Sequence, residues 1–412
     1  MTFRNFHVGR AQRVAGLLLL VMLGECLWLV ARTPLDSADY RYARCGREMW
    51  EQPSALQGYF TSCGNLNGDG TLAYRLAGFP LSLQRWTLLA ADHLRKPQNR
   101  LYSGGALNGS TWEARHQVTG VKWLLHLPFV LIALWAGGGL WWVARRLFGN
   151  EGGALVLALY VFCPAVLRSA VTPNNEILAL WALFGLIYTM MGVAHAMQGP
   201  RRKWRPRIVL LTIALAATAA AHLLAACVGF CIGTVYLVYL CERRRSHLSQ
   251  VLLSAVMGAA VLLFAEFGFR LSAFVYVFTG GSVRFWFTTT RVLAFFTQTA
   301  KLPFFGNAVM PLEFGTLIAT LIALALWLGN RRSRYFGNSA ALVAALIFAP
   351  LYTTQVFSAP WFWALPFLFT FIGGVFADAL ETRRRRAMLL LSAALVISQA
   401  VLCIAWIASA AG

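Results

Sequence analysis

The sequence predicts an all-α polytopic membrane protein, a single transmembrane domain over residues 1–412 with about eleven spanning helices, on three observations. Apolar runs near twenty residues, the length that crosses roughly 30 Å of hydrocarbon, recur along the chain. Mean hydropathy is +0.61 and only 12% of residues are charged, more apolar content than a soluble core demands. Finally, the basic residues behind a formal net charge of +21 fall in short clusters between the apolar runs. Such punctuation follows membrane topology and argues against a nucleic-acid partner, which would need one continuous basic face.

The elements follow in order. Arg4, Arg10 and Arg13 precede a first span at 14–31. It lacks a small-residue cleavage site and reads as an uncleaved anchor with its amino terminus in the cytoplasm. Glu25 inside it is either a buried, paired carboxylate or an intramembrane functional group. Residues 32–121 form a large outer, periplasmic loop, and 270–310 a second outer segment. Clusters at Arg145 and Arg146, at 201–207 ("RRKWRPR"), 243–245, 331–334 and 383–386 mark cytoplasmic connections. The connections around 172–175, near His222 and around 353–360 hold no Lys or Arg and belong outside. Residues 208–241 are uncharged apart from His222, yet basic clusters flank both ends. An even number of crossings is required, so two short helices should meet near His222.

The first loop reads as folded. Residues 39–51 have the pattern of a charged helix. Over 80–95, Leu83, Trp86, Leu89, Ala90 and Leu94 form one stripe with Gln84, Arg85, Asp92 and Arg95 off it, which suits a helix lying in the membrane interface. Between them, "NLNGDGTLAYRL" at 65–76 imitates a calcium loop. Its twelfth position is Leu76, which offers no oxygen, so a tight Gly-rich turn without metal is expected. Cys45 and Cys63 fall in this loop, where an oxidising compartment permits a bridge, whereas the other six cysteines read as small apolar packing residues.

The stretch "DYRYARCGREM" at 39–49 resembles the acidic, Arg-Tyr-Ala segment that opens the first outer loop of polyprenyl-phosphate-dependent membrane glycosyltransferases, the group of protein O-mannosyltransferases and aminoarabinose transferases. A second resemblance runs over 122–180, through "ARRLFGN", "CPAVLRSA" and "TPNNEILAL". A third is the short helix pair at 208–241, which carries "AAHLLA" where the family often has a Thr-Lys-Gly-Pro turn. The resemblance implies the C-type glycosyltransferase fold in a bacterial inner membrane. It also implies transfer of a sugar from a polyprenyl-phosphate donor to a lipid, glycan or protein acceptor at the outer face.

That chemistry needs a base for the acceptor hydroxyl and positive charge for the departing phosphate. Asp36 and Asp39, three apart on one helix face, are candidates for the base, or else caps of the helix start. Glu176 opens a transmembrane helix after Pro173. There it either satisfies the helix dipole, or orients the acceptor or helps hold a divalent cation, a cofactor this chemistry can use but does not require. Asn174 and Asn175 would assist as donors or oxygen ligands. Arg270, Arg284, Arg291 and Lys301 could take the phosphate, or snorkel to lipid headgroups. His222 could touch phosphate when protonated, or pack as a hydrogen-bonded histidine. The alternative readings are a membrane transporter and a family member without activity. Transporters of this size commonly carry half-to-half repeats, and no such repeat is visible in the sequence.

Cysteine labelling at residues within 32–121 and within "RRKWRPR" is expected to give opposite sidedness; identical labelling would end this topology. Non-reducing mass spectrometry of protein from native membrane is expected to recover Cys45 joined to Cys63, and two free thiols there would reject the bridge.

Overall fold

The structure, a computed structural model, describes residues 9–51, 71–95, 120–241, 245–266, 269, 271, 310–349, 362–382 and 385–410. Among them every regular element is helical. In chain order the helices are α1 (Arg10–Arg32), α2 (Ser37–Glu51), α3 (Leu72–Arg95), α4 (Val121–Val161), α5 (Pro164–Ala170), α6 (Asn175–Met197) and α7 (Arg205–Ala221). They continue with α8 (Leu223–Leu240), α9 (Leu248–Glu266), α10 (Met310–Gly329), α11 (Phe336–Phe348), α12 (Leu365–Leu380) and α13 (Arg385–Ala410).

Among the described residues, seven helices are long and apolar enough to cross a membrane, with shorter apolar helices at Gly315–Gly329 and Phe336–Phe348. The chain is an integral membrane protein. The expected eleven spans are counted over the whole chain, of which 272–309 and 350–361 lie outside the described residues. Helix α4 covers 41 residues as two helical stretches joined at a kink at Gly149. The kink needs φ +77°, a conformation open to glycine and strained for residues with a Cβ. Helices α7 and α8 are the expected short pair, of 17 and 18 residues, and they meet at His222 in extended backbone.

The chain divides into two compact units. One comprises Met1–Arg32, Ala133–Arg168 and Thr297–Gly412. At its centre α12 is buried almost throughout, with Phe367, Phe369, Phe371 and Phe376 enclosed. It approaches α4 closely: a Cβ on Gly152 would stand 3.3 Å from the Gly373 carbonyl. The outer helices leave apolar side chains such as Leu17, Leu20, Leu390 and Ile397 uncovered, the surface that lipid covers. Within this unit Tyr160 donates to the Ala133 carbonyl at 2.8 Å, and Gln399 Nε2 donates to the Phe162 carbonyl at 3.0 Å. Each of these polar side chains thereby finds a backbone partner within the unit.

The second unit comprises Thr33–Ile132 and Ser169–Phe296. Here α2 and α3 cross backbone to backbone. A Cβ on Gly46 would lie 2.6 Å from the Gly78 nitrogen, so only glycine permits the approach. Tyr42 stacks on Tyr74 with centroids 4.4 Å apart, and Trp50 Nε1 donates to the Arg75 carbonyl at 2.8 Å. Glu51 closes the far end of the crossing. It accepts from Arg47 Nε at 2.8 Å, from Ser82 Oγ at 3.1 Å, and from Arg85. Both arginines are buried, and the shared carboxylate offsets the cost of burying their charge.

Helix α3 starts earlier than the sequence suggests, at Leu72 and not at Pro80, and takes in the second half of the calcium-like stretch. Ala73, Tyr74, Ala77 and Leu81 bury one side of it. That packing outweighs the hydrogen bond Pro80 cannot make. Of the apolar stripe, Leu83, Trp86 and Ala90 stay outside, Leu83 at 46% and Trp86 at 39% exposure, while off-stripe Arg85 turns inward to Glu51. Cys45 is disulfide-bonded; its expected partner, Cys63, lies outside the described residues. Gly46→Ala is expected to destabilise the protein by roughly 1–3 kcal/mol, read as a lowered Tm in detergent, because the two backbones must part.

Candidate functional site

Asp36 and Asp39 form a reciprocal cap at the start of α2. The Asp39 N–H donates to Asp36 Oδ1 at 2.7 Å and the Asp36 N–H to Asp39 Oδ2 at 3.1 Å. An acidic residue here also complements the helix dipole. The two then diverge in environment. Asp36 is exposed, whereas Asp39 is 6% exposed. Burial pushes the Asp39 carboxyl up to about 6; the Asp36 N–H pulls it down, the Asp36 charge pushes it further up, and Lys122 pulls it down.

Facing Asp39 is a residue that the sequence reading overlooked. His126 Nε2 lies 3.7 Å from Asp39 Oδ2, and His126 Nδ1 contacts the Val171 carbonyl at 2.6 Å. One imidazole on α4 thus stands between the first turn of α2 and the connection that leads into α6. The available signal was an ionisable side chain inside an apolar span, "VKWLLHLPF" at 121–129.

That connection is itself over-determined. Asn174 caps α6, accepting from the Ile177 N–H at 3.0 Å. Its amide donates to the Ser169 carbonyl at 2.9 Å, to the Thr172 carbonyl at 2.8 Å and to Thr172 Oγ1 at 2.9 Å. Ser169 Oγ adds a bond to its carbonyl oxygen at 3.0 Å. Asn174 is therefore committed to shaping the turn. Asn175 is 5% exposed, and neither polar atom of its side chain has a hydrogen-bond partner among the described residues. Such an amide carries a desolvation cost that a bound polar group would relieve. Glu176, 8% exposed, follows in the first turn of α6.

His222 comes to the same level by helix register. Glycines on α8 admit side chains of α6: Gly229 faces Leu183 and Leu186, and Gly233 faces Met190. Seven residues before Gly229, about two turns back, His222 stands beside the start of α6. Its side chain is 1% exposed. Across the unit, Glu266 at the end of α9 bonds Thr71 Oγ1, and Arg75 Nη2 donates to the Glu266 carbonyl at 2.5 Å. Glu266 is thereby tied to the start of α3. Arg270, Arg284, Arg291 and Lys301 lie outside the described residues.

The structure brings Asp39 to one side of His126 and Val171 to the other, five residues before Glu176 in the chain. Among the described residues no three His, Cys, Asp or Glu side chains are grouped to hold a metal ion. What the arrangement offers is a buried carboxylate able to take a proton, an aligned imidazole, and an uncommitted amide.

No family model and no curated protein matches the chain. A solved structure that it resembles is that of ArnT from Cupriavidus metallidurans in the apo state, at 16% identity and a TM-score of 0.54. The match covers 93% of this chain and 63% of the other, so the chain spans less than two thirds of that protein. The likeness is one of fold, and the chain has the all-helical membrane fold of that structure.

Proposed function

We propose that the protein is a glycosyltransferase of a bacterial inner membrane, moving a sugar from a polyprenyl-phosphate donor to an acceptor hydroxyl at the outer face. The observation that carries this reading is Asp39, a buried carboxylate at a helix start whose affinity for protons is raised to about 6. The ArnT-like fold supports it. In the reaction the acceptor oxygen attacks the anomeric carbon, the bond from that carbon to the phosphate oxygen breaks, and polyprenyl phosphate departs as an anion. The hydroxyl proton passes to Asp39, whose raised affinity makes it a stronger base than an exposed aspartate. Asp36 is exposed to solvent and serves as its capping partner.

Glu176 and Asn175 orient the acceptor in this reading, the amide supplying both a donor and an oxygen. Asn174 builds the turn that presents them. Arg270, Arg284, Arg291 and Lys301 in the second outer segment, with His222, take up the phosphate charge of donor and product.

Purified protein in liposomes, offered polyprenyl-phosphate sugars, is expected to consume donor. Asp39→Asn keeps the oxygen that caps α2 but cannot take a proton, so turnover should fall by about 10² or more while insertion is retained. Near-wild-type transfer by Asp39→Asn and Asp36→Asn together would remove the base from this helix. Wild-type activity should fall as pH drops through about 6, where Asp39 becomes protonated. The stability linkage has the same origin and the opposite sign. Asp39 holds its proton more tightly folded than unfolded, so its contribution is fully present below about pH 4 and is lost as pH rises through about 6. Asp39→Asn should lack that component of the pH dependence of Tm. Glu176→Gln lowers kcat if Glu176 orients the acceptor; a purely capping role predicts a stability loss of about 1 kcal/mol or less and unchanged kinetics.

A further inference from the structure

The contacts of His126 determine which of its atoms faces the carboxylate. A carbonyl oxygen can only accept, so the 2.6 Å contact between Nδ1 and the Val171 carbonyl places a hydrogen on Nδ1. In the neutral ring the lone pair is then on Nε2, the atom 3.7 Å from Asp39 Oδ2. Both side chains are buried, His126 at 4% and Asp39 at 6% exposure, so water competes weakly for either. An ionised Asp39 opposite this lone pair sets acceptor against acceptor. A protonated Asp39 sets donor against acceptor.

We propose that His126 is a positioning residue for the transfer, forming with Asp39 a dyad in which Nε2 receives the carboxyl hydrogen bond once Asp39 has taken the acceptor's proton. The inference rests on the reading of Asp39 as base. The acceptor O–H bond breaks, an Oδ2–H bond forms, and that hydrogen is donated to Nε2; the proton returns to water after the product leaves. The gap of 3.7 Å closes to hydrogen-bond length in the protonated state. The other charged groups acting on Asp39 are Asp36, its neighbour on α2, and Lys122, one turn before His126 on α4. Asp36 opposes ionisation and Lys122 favours it, so the dyad works alongside burial in keeping Asp39 basic.

The test uses His126→Asn in the full-length protein in liposomes. Asparagine can still offer an amide N–H to the Val171 carbonyl, but it has no atom at the place of Nε2. Infrared difference titration reads the Asp39 carboxyl band, recognised by its absence in Asp39→Asn, and needs neither donor nor turnover. The midpoint, at about 6 in the wild type, is expected to fall by about one unit in His126→Asn, because the acceptor for the protonated form is gone. In the transfer assay the acid limb should move in the same direction, with kcat reduced by about tenfold or more and KM for donor unchanged. An unshifted Asp39 midpoint in folded His126→Asn overturns the dyad, whether or not transfer occurs. A shifted midpoint in His126→Asn, with no sugar transferred by the wild type, upholds the His126–Asp39 pair and rejects the transferase reading. Should His126→Asn not fold, His126→Gln takes its place. Its amide N–H would favour the ionised carboxylate, so the midpoint should again fall, and an unchanged value there also overturns the proposal.

Discussion

A peptide group in hydrocarbon has no water to bond, so each spanning segment must satisfy its own backbone, and only a helix does so within one segment. The constraint organises the rest of the structure. Helix interiors can be apolar all round, but helix ends retain N–H and C=O groups that require partners. Polar chemistry is therefore gathered at ends and breaks. Asp36 and Asp39 sit at the start of α2, Asn174, Asn175 and Glu176 at the start of α6, and His222 between α7 and α8. His126 is within two turns of the start of α4, close enough to an end to reach the Val171 carbonyl.

Within the second unit, glycines convert this arrangement into fixed distances. Gly46 and Gly78 let α2 and α3 meet at backbone contact, and Glu51 with its two arginines closes the crossing at one end. At the other end of α2, Asp39 is held against His126. On the neighbouring helices, Gly229 and Gly233 set the register of α8 against α6 and so the height of His222. A carboxylate whose position is set by packing at both ends of its helix has little freedom left to lose, the condition that the proposed role as a base requires.

Capping and the proposed role as base are not in competition at Asp39. The bond it accepts from the Asp36 N–H orients its carboxylate, while burial makes that carboxylate basic. Asn174 shows the opposite case: its amide is consumed in the turn, whereas the buried amide of Asn175 beside it has no hydrogen-bond partner among the described residues.

Much was legible in the sequence because it depends on local pattern. The charged helix at 39–51 appears as Ser37–Glu51, since its start signal and apolar positions are contiguous. The two short helices meeting at His222 follow from charge placement alone. Asp39 was visible as a carboxylate beside a span, and so was the alternative that it caps a helix; the structure gives it that capping contact together with the burial. Other features were not legible. The onset of α3 at Leu72 depends on a long-range crossing that outweighs Pro80. His126 looks in sequence like any histidine in an apolar run. Its significance arises from a carbonyl 45 residues later and a carboxylate 87 positions earlier, and only tertiary packing brings those three groups together. The sequence by itself determined the membrane class, the start of α2, the break between α7 and α8 and the residue types available for proton transfer, because hydrophobicity and capping are local. Which of those residues share one buried site was decided by helix packing, which no local pattern encodes.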